Sequence, residues 1–276
     1  MTALPSLFRF LRYYLILALI LGLASYGFSF VPGPVVAHTD VSFGPHERQA
    51  VDIYYPDKPE NLDEPVDVFL FIHGGSWVAG TKEEYRMFAV PMAKEGYIAA
   101  TTAYRLKPDA SCADMMEDIG LAIAAIKDTA EADGIAVGKL AILGDSAGAH
   151  LALLYSYTHL NGTANAPAIP LAFCIGRVAP TIVTFPGDNS MDANVINALA
   201  AAGTAAPPTI LCYAGQDELV NMERHGLPLQ EKLRELSVPF EWFFFPNSGH
   251  SMLSPLDFPM HKQSMDAFFA YADLYF

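Results

Sequence analysis

Basic residues are scarce in this chain of 276 residues: sixteen Lys and Arg stand against thirty Asp and Glu, for a formal charge of −14. A nucleic-acid surface needs clustered cations to neutralise phosphates, so the deficit argues against such a partner. Cysteine is scarcer still. Cys112, Cys174 and Cys212 form no CxxC pattern and cannot all pair. That excludes a disulfide framework or a cysteine-based zinc site as the organising principle and predicts buried free thiols. There is no H-E-x-x-H, Walker loop or dinucleotide fingerprint, so neither a metal nor an organic cofactor is expected. Internal repeats and long low-complexity stretches are also absent.

What the chain has in excess is apolar surface: 52% of residues are hydrophobic and only 17% charged, with a mean hydropathy of +0.25. Part of the excess sits at the N-terminus, where Arg9 and Arg12 are the only charged side chains before Asp40. Pro32 and Pro34 end the apolar run there. That leaves about 18 helical residues from Tyr13 to Phe30, close to the ~20 that cross a bilayer. Residues 1–37 are therefore expected to be a signal peptide or a membrane anchor, with Val35-Val36-Ala37 and Gly22-Leu23-Ala24 as passable cleavage sites. Residues 38–276 would be exported: held at the membrane outside the cytoplasm, or periplasmic or secreted after cleavage. Every acidic residue falls in that exported part.

The remainder alternates strand and helix. Strands are expected at residues 41–43, 50–55, 66–72, 97–104, 140–143, 171–175, 209–213 and 241–245. Helices are expected at 82–95, 113–132, 147–160, 222–236 and 259–274, with a short one at 191–202 inside an irregular span at 180–208. This order implies an α/β domain: a mostly parallel sheet of eight strands, opened by an antiparallel hairpin and covered by helices on both faces.

The chemistry converges on Ser146. Gly144-Asp145-Ser146-Ala147-Gly148 matches G-x-S-x-G, follows an apolar strand and opens what reads as an amphipathic helix. Such a turn lifts the hydroxyl above the sheet, and its flanking glycines remove Cβ atoms that would clash. His73-Gly74-Gly75-Ser76-Trp77 ends the third strand. There the N–H groups of Gly74 and Gly75, with that of Ala147, can donate to a developing oxyanion. The serine needs a base and the base an orienting carboxylate. His250 stands in a turn between the last strand and the last helix, and Asp217 follows the strand at 209–213. Glu218 is the nearest competitor for the acid, with Asp188 and Asp192 behind it. His73 reads as structural, His150 as packed beneath the elbow, and His159, His225 and His261 as helix-surface residues. Trp77, Phe185 and Met252 are candidates for the substrate-binding walls.

Together His73-Gly74-Gly75-x-Trp77, Gly144-Asp145-Ser146-Ala147-Gly148-Ala149-His150, Gly215-x-Asp217 and Gly249-His250 resemble the α/β-hydrolase superfamily. Within it they are similar to serine esterases of the hormone-sensitive-lipase and feruloyl-esterase-like (BD-FAE-like) group. Ser76 departs from the third glycine common in lipases of this group. The resemblance implies Ser146 as nucleophile, His250 as general base and Asp217 as orienting acid, with Gly74, Gly75 and Ala147 as the oxyanion hole. The expected activity is cleavage of small or medium acyl esters through an acyl-enzyme. The same machinery serves amides, which leaves an aryl-formamidase-like or peptidase-like hydrolase open, and a non-catalytic binding module as a further alternative. The expected partner is a small-molecule ester, with membrane association through the N-terminal segment.

Overall fold

The computed structural model describes residues 35–56, 64–184, 196–252 and 255–276. The N-terminal run at 1–34, Asp188, Asp192 and the wall candidate Phe185 lie outside them. Among the described residues no helix is long and apolar enough to cross a membrane.

Eight strands form one sheet: β1 Val35–Ser42, β2 Ala50–Pro56, β3 Val66–Ile72, β4 Ile98–Thr102, β5 Val137–Asp145, β6 Leu171–Arg177, β7 Thr209–Ala214 and β8 Phe240–Phe245. Their spatial order is β1-β2-β4-β3-β5-β6-β7-β8. β2 runs antiparallel to both β1 and β4, and from β4 onward every pairing is parallel. The expected α/β architecture with its antiparallel entry is thus present. β1 is longer than its apolar pattern suggested. It begins at Val35, before the domain start expected at residue 38, and pairs Val35, Val36 and Ala37 with Pro56, Tyr55 and Tyr54.

Six α-helices are described: α1 Arg86–Lys94, after a 3-10 turn at Lys82–Tyr85, α2 Cys112–Ala132, α3 Ala147–Thr158, α4 Ala198–Ala201, α5 Met222–Glu235 and α6 Phe258–Tyr275. Strand alternation sorts the core into two layers. Val68, Leu70 and Ile72 of β3 face α2, α3 and α5. Phe69 and Phe71 face α1 and α6. Full burial of one such phenylalanine contributes about 2–3 kcal/mol. The three cysteines are buried and form no disulfide among the described residues, and burial pushes the Cys174 thiol up to about 11 and that of Cys212 up to about 12.

Two local readings are corrected. α3 is not amphipathic, since every residue from Ala147 through Tyr157 is buried. It lies at the centre of the sheet, against β5 and β6, and is roofed by α2 and α4. A helix enclosed on all sides has no polar face to show. His225 is not on a helix surface either. It is buried, its Nδ1 accepts from the Ile182 N–H at 3.3 Å, and its carbonyl accepts from Thr181 Oγ1 at 2.7 Å.

Candidate active site

Ser146 follows β5 and caps α3 with φ 53° and ψ −118°, a conformation disfavoured for a residue bearing a side chain. Packing enforces it. A Cβ on Gly148 would come within 2.2 Å of the Ile72 carbonyl oxygen, and one on Gly144 within 2.3 Å of Gly148 backbone. Only glycine permits α3 to approach β3 so closely. The Ser146 N–H donates to the Arg177 carbonyl at 2.9 Å, which ties the elbow to the end of β6.

The structure brings the expected serine, histidine and aspartate together. His250 Nε2 lies 2.9 Å from Ser146 Oγ and its Nδ1 lies 2.8 Å from Asp217 Oδ2. A carboxylate can only accept, so Nδ1 carries the proton and Nε2 receives the serine hydroxyl's. Asp217 has no exposed side-chain surface. Its Oδ1 accepts from the N–H groups of Leu219 and Val220 at 2.8 and 2.9 Å. Glu218, its neighbour, is exposed. These bonds fill the acceptor sites of Asp217 and aim the remaining oxygen at His250.

Gly74 and Gly75 lie beside Ser146 along a cleft of about 380 Å³. Gly75, Ser76 and Trp77 all have positive φ, at 107°, 53° and 62°. This reversal leaves the amides of Gly74 and Gly75 without a backbone acceptor among the described residues, as is that of Ala147 at the start of α3. Met252, at φ 53°, also lines the cleft. Trp77 does not: the reversed backbone turns its ring toward the core, edge-on to His150 with centroids 5.4 Å apart.

Two buried histidines support this half of the site. His73 donates from Nδ1 to the Gly74 carbonyl at 2.7 Å and accepts at Nε2 from Arg48 Nη2 at 3.1 Å. Its ring stacks on Tyr104, whose hydroxyl donates to the His73 carbonyl at 3.0 Å. Burial pulls His73 down to about 4, so it stays neutral. His150 is buried beneath the elbow as expected, bonded through Nε2 to the Ile196 carbonyl at 2.8 Å, and burial lowers it to about 4 as well.

Sequence reasoning missed two supporting residues. Arg48 also donates to the carbonyls of Tyr104 and Gly80, both at 2.8 Å, and so bolts the oxyanion turn to the first hairpin. Asp257 is buried and accepts from Ser248 Oγ at 2.6 Å, Asn247 Nδ2 at 2.9 Å and the Asn247 N–H at 3.0 Å. It thereby fixes the turn that carries His250. Neither belongs to a local pattern; each acts across the fold.

Comparison with known proteins agrees with this fold. Residues 51–169 match the BD-FAE family model. An inhibited esterase B from Lactobacillus rhamnosis superposes with a TM-score of 0.72 over 98% of this chain and 97% of its own, at 17% identity. The chain carries an α/β-hydrolase fold. Among its curated relatives, a probable isoprenylcysteine alpha-carbonyl methylesterase of Oryza sativa subsp. japonica is 32% identical over 112 residues, 41% of this chain and 26% of that protein. The kynurenine formamidase of Salmo salar is 29% identical over 139 residues, 50% of this chain and 45% of the formamidase. The chain thus spans about a quarter of the length of the rice protein.

Proposed function

We propose that this chain is a serine hydrolase that cleaves carboxylic esters of small or medium acyl groups through an acyl-enzyme on Ser146. The observation that carries the reading is the hydrogen-bonded relay Ser146–His250–Asp217, with separations of 2.9 and 2.8 Å, opening on a cleft. His250 takes the hydroxyl proton as Ser146 attacks the carbonyl carbon, and Asp217 stabilises the imidazolium that forms. The amides of Gly74, Gly75 and Ala147 receive the oxyanion, each such donor being worth about 3–4 kcal/mol in the transition state. The imidazolium then protonates the departing alcohol. Next, His250 deprotonates a water that releases the acid and regenerates Ser146. This sequence needs no group beyond the chain's own residues and water.

The relatives point to esters and to amides: one is named a methylesterase, the other a formamidase. The formamidase likeness favours a second reading, hydrolysis of an aryl formamide on the same relay. Purified protein assayed with p-nitrophenyl acetate, p-nitrophenyl butyrate and an N-formyl anilide separates them, and faster turnover of the formamide overturns the ester preference. Ser146→Ala is expected to lower turnover of either class at least about a thousandfold while leaving the melting temperature within a few degrees. Near-full activity in that variant removes Ser146 from the mechanism. The apolar run at 13–30 supports a place outside the cytoplasm, anchored or released by cleavage; recovery of the native chain only in the soluble cytoplasmic fraction overturns it.

A further inference from the structure

We propose that Arg177 is a specificity-determining residue of the Ser146 cleft, and that it receives a carboxylate carried by the substrate on a short chain from the scissile carbonyl. The inference rests on the reading of Ser146 as nucleophile and extends it to a substrate class: mono-anionic esters, or amides, of short dicarboxylic acids.

Register puts the arginine in place. β5 and β6 run parallel with Asp145 opposite Arg177, so the guanidinium rises from the strand next to the one that presents Ser146. Parallel neighbours lie about 4.8 Å apart, so the side chain spans to a group about two to four carbons from the reacting carbonyl. The backbone that carries it is clamped on both sides. The Arg177 carbonyl accepts from the Ser146 N–H at 2.9 Å, and the next residue, Val178, donates from its N–H to the Cys212 carbonyl at 2.7 Å. The distance from guanidinium base to nucleophile is therefore built into the sheet.

The guanidinium is incompletely used by the protein. Among the described residues its one ion-pair partner is Asp145, with Nε 3.4 Å from Oδ1. Among the described residues, Nη1 and Nη2 donate to no carbonyl or side chain, yet Arg177 lines the cleft and keeps about a quarter of its side-chain surface exposed, at 24%. Asp145 Oδ1 is itself buried without a hydrogen bond. A guanidinium fork matches a carboxylate with two parallel N–H···O bonds, which leaves a planar edge available to a ligand here. The cleft's other acids do not occupy that edge. Glu84 is spent on a helix cap, accepting from the Thr81 N–H at 3.1 Å, and Asp145 pairs at Nε. Leu219, 74% exposed, and Met252 supply an apolar wall in the same cleft. The cleft thus offers a cation for one part of the substrate and an apolar surface for another.

The test is a comparison of p-nitrophenyl hemiglutarate with neutral p-nitrophenyl valerate, in wild type and Arg177→Gln. The expected result is a fall of about 10–100-fold in the ratio of kcat/KM, anionic over neutral, on substitution. It should appear mainly in the KM of the anionic ester. A merely structural arginine would depress both substrates together, and a ratio unchanged within about twofold overturns the proposal. Should Arg177→Gln fail to fold, inhibition of wild-type valerate hydrolysis decides: glutarate is expected to inhibit at least about tenfold better than glutaramide, and equal inhibition overturns the proposal. If neither ester is hydrolysed, the ester reading fails separately. Calorimetry of monomethyl glutarate against dimethyl glutarate on Ser146→Ala then still decides Arg177, and equal affinity counts against it.

Discussion

The two halves of the site are built by different physics. In the elbow half, Gly144 to Gly148 are held by contact. α3 lies so close to β3 that a methyl group on Gly148 would sit 2.2 Å from the Ile72 carbonyl oxygen. The other half, the loops bearing Asp217 and His250, is held by polar bonds from elsewhere in the chain. Gln216 donates from its N–H to the Ser248 carbonyl at 2.9 Å, and Asp257 receives Asn247 and Ser248. Close packing allows the elbow no alternative position, whereas the loops hold theirs only while each donor keeps its acceptor. Ser146 is therefore expected to be the rigid partner, and His250 the one whose placement can be tuned.

Acid should break the elbow half hardest. His73 and His150 are neutral in the folded protein because burial lowers both to about 4, while an unfolded imidazole titrates near ~6.5. Their contribution is complete above about pH 6.5 and is lost as pH falls toward about 4, at roughly 3 kcal/mol each. Denaturant unfolding between pH 7.5 and 4.5 measures it, and His150→Gln should flatten about half of the slope; an unchanged slope in that variant contradicts the assignment. Next in size is Gly148→Ala, expected to cost about 3 kcal/mol through overpacking against β3. A neutral outcome would mean the elbow is looser than its contacts imply. Asp257→Ala probes the other half and should cost about 2 kcal/mol, with kcat falling more than about tenfold and KM little changed. If stability falls while kcat holds, Asp257 supports the fold and not His250. The smallest effect is expected for Leu219→Ala. Its exposed side chain should matter less than about 0.5 kcal/mol to stability, yet KM should rise for longer acyl chains.

The same contrast explains what could be read before the fold was seen. The elbow and the oxyanion turn were legible because steric demands leave a local mark: glycines at fixed spacing around one serine, after an apolar strand. β3 was legible from its run of apolar residues, with boundaries at Val66 and Ile72. The full length of β1 was not, because residues 35–37 read as the tail of the N-terminal apolar segment. His225 was misplaced because the surroundings that bury it, Thr181 and Ile182, lie more than 40 residues away in sequence. Arg48, Asp257 and Arg177 left no mark for a similar reason. Each works through one long-range geometry, and a lone charged residue in a sequence carries no sign of what it will face. Asp217 and His250, which the structure brings beside Ser146, were singled out by their order after strands, a topological cue intermediate between the two.

The most direct test of the central claim is labelling of the intact protein at neutral pH with a fluorophosphonate, followed by peptide mapping. The relay predicts rapid, stoichiometric phosphonylation of Ser146 alone, slowed at least about a thousandfold by His250→Ala in a protein that remains folded. Labelling at another residue, or equal labelling of the His250→Ala variant, would contradict it.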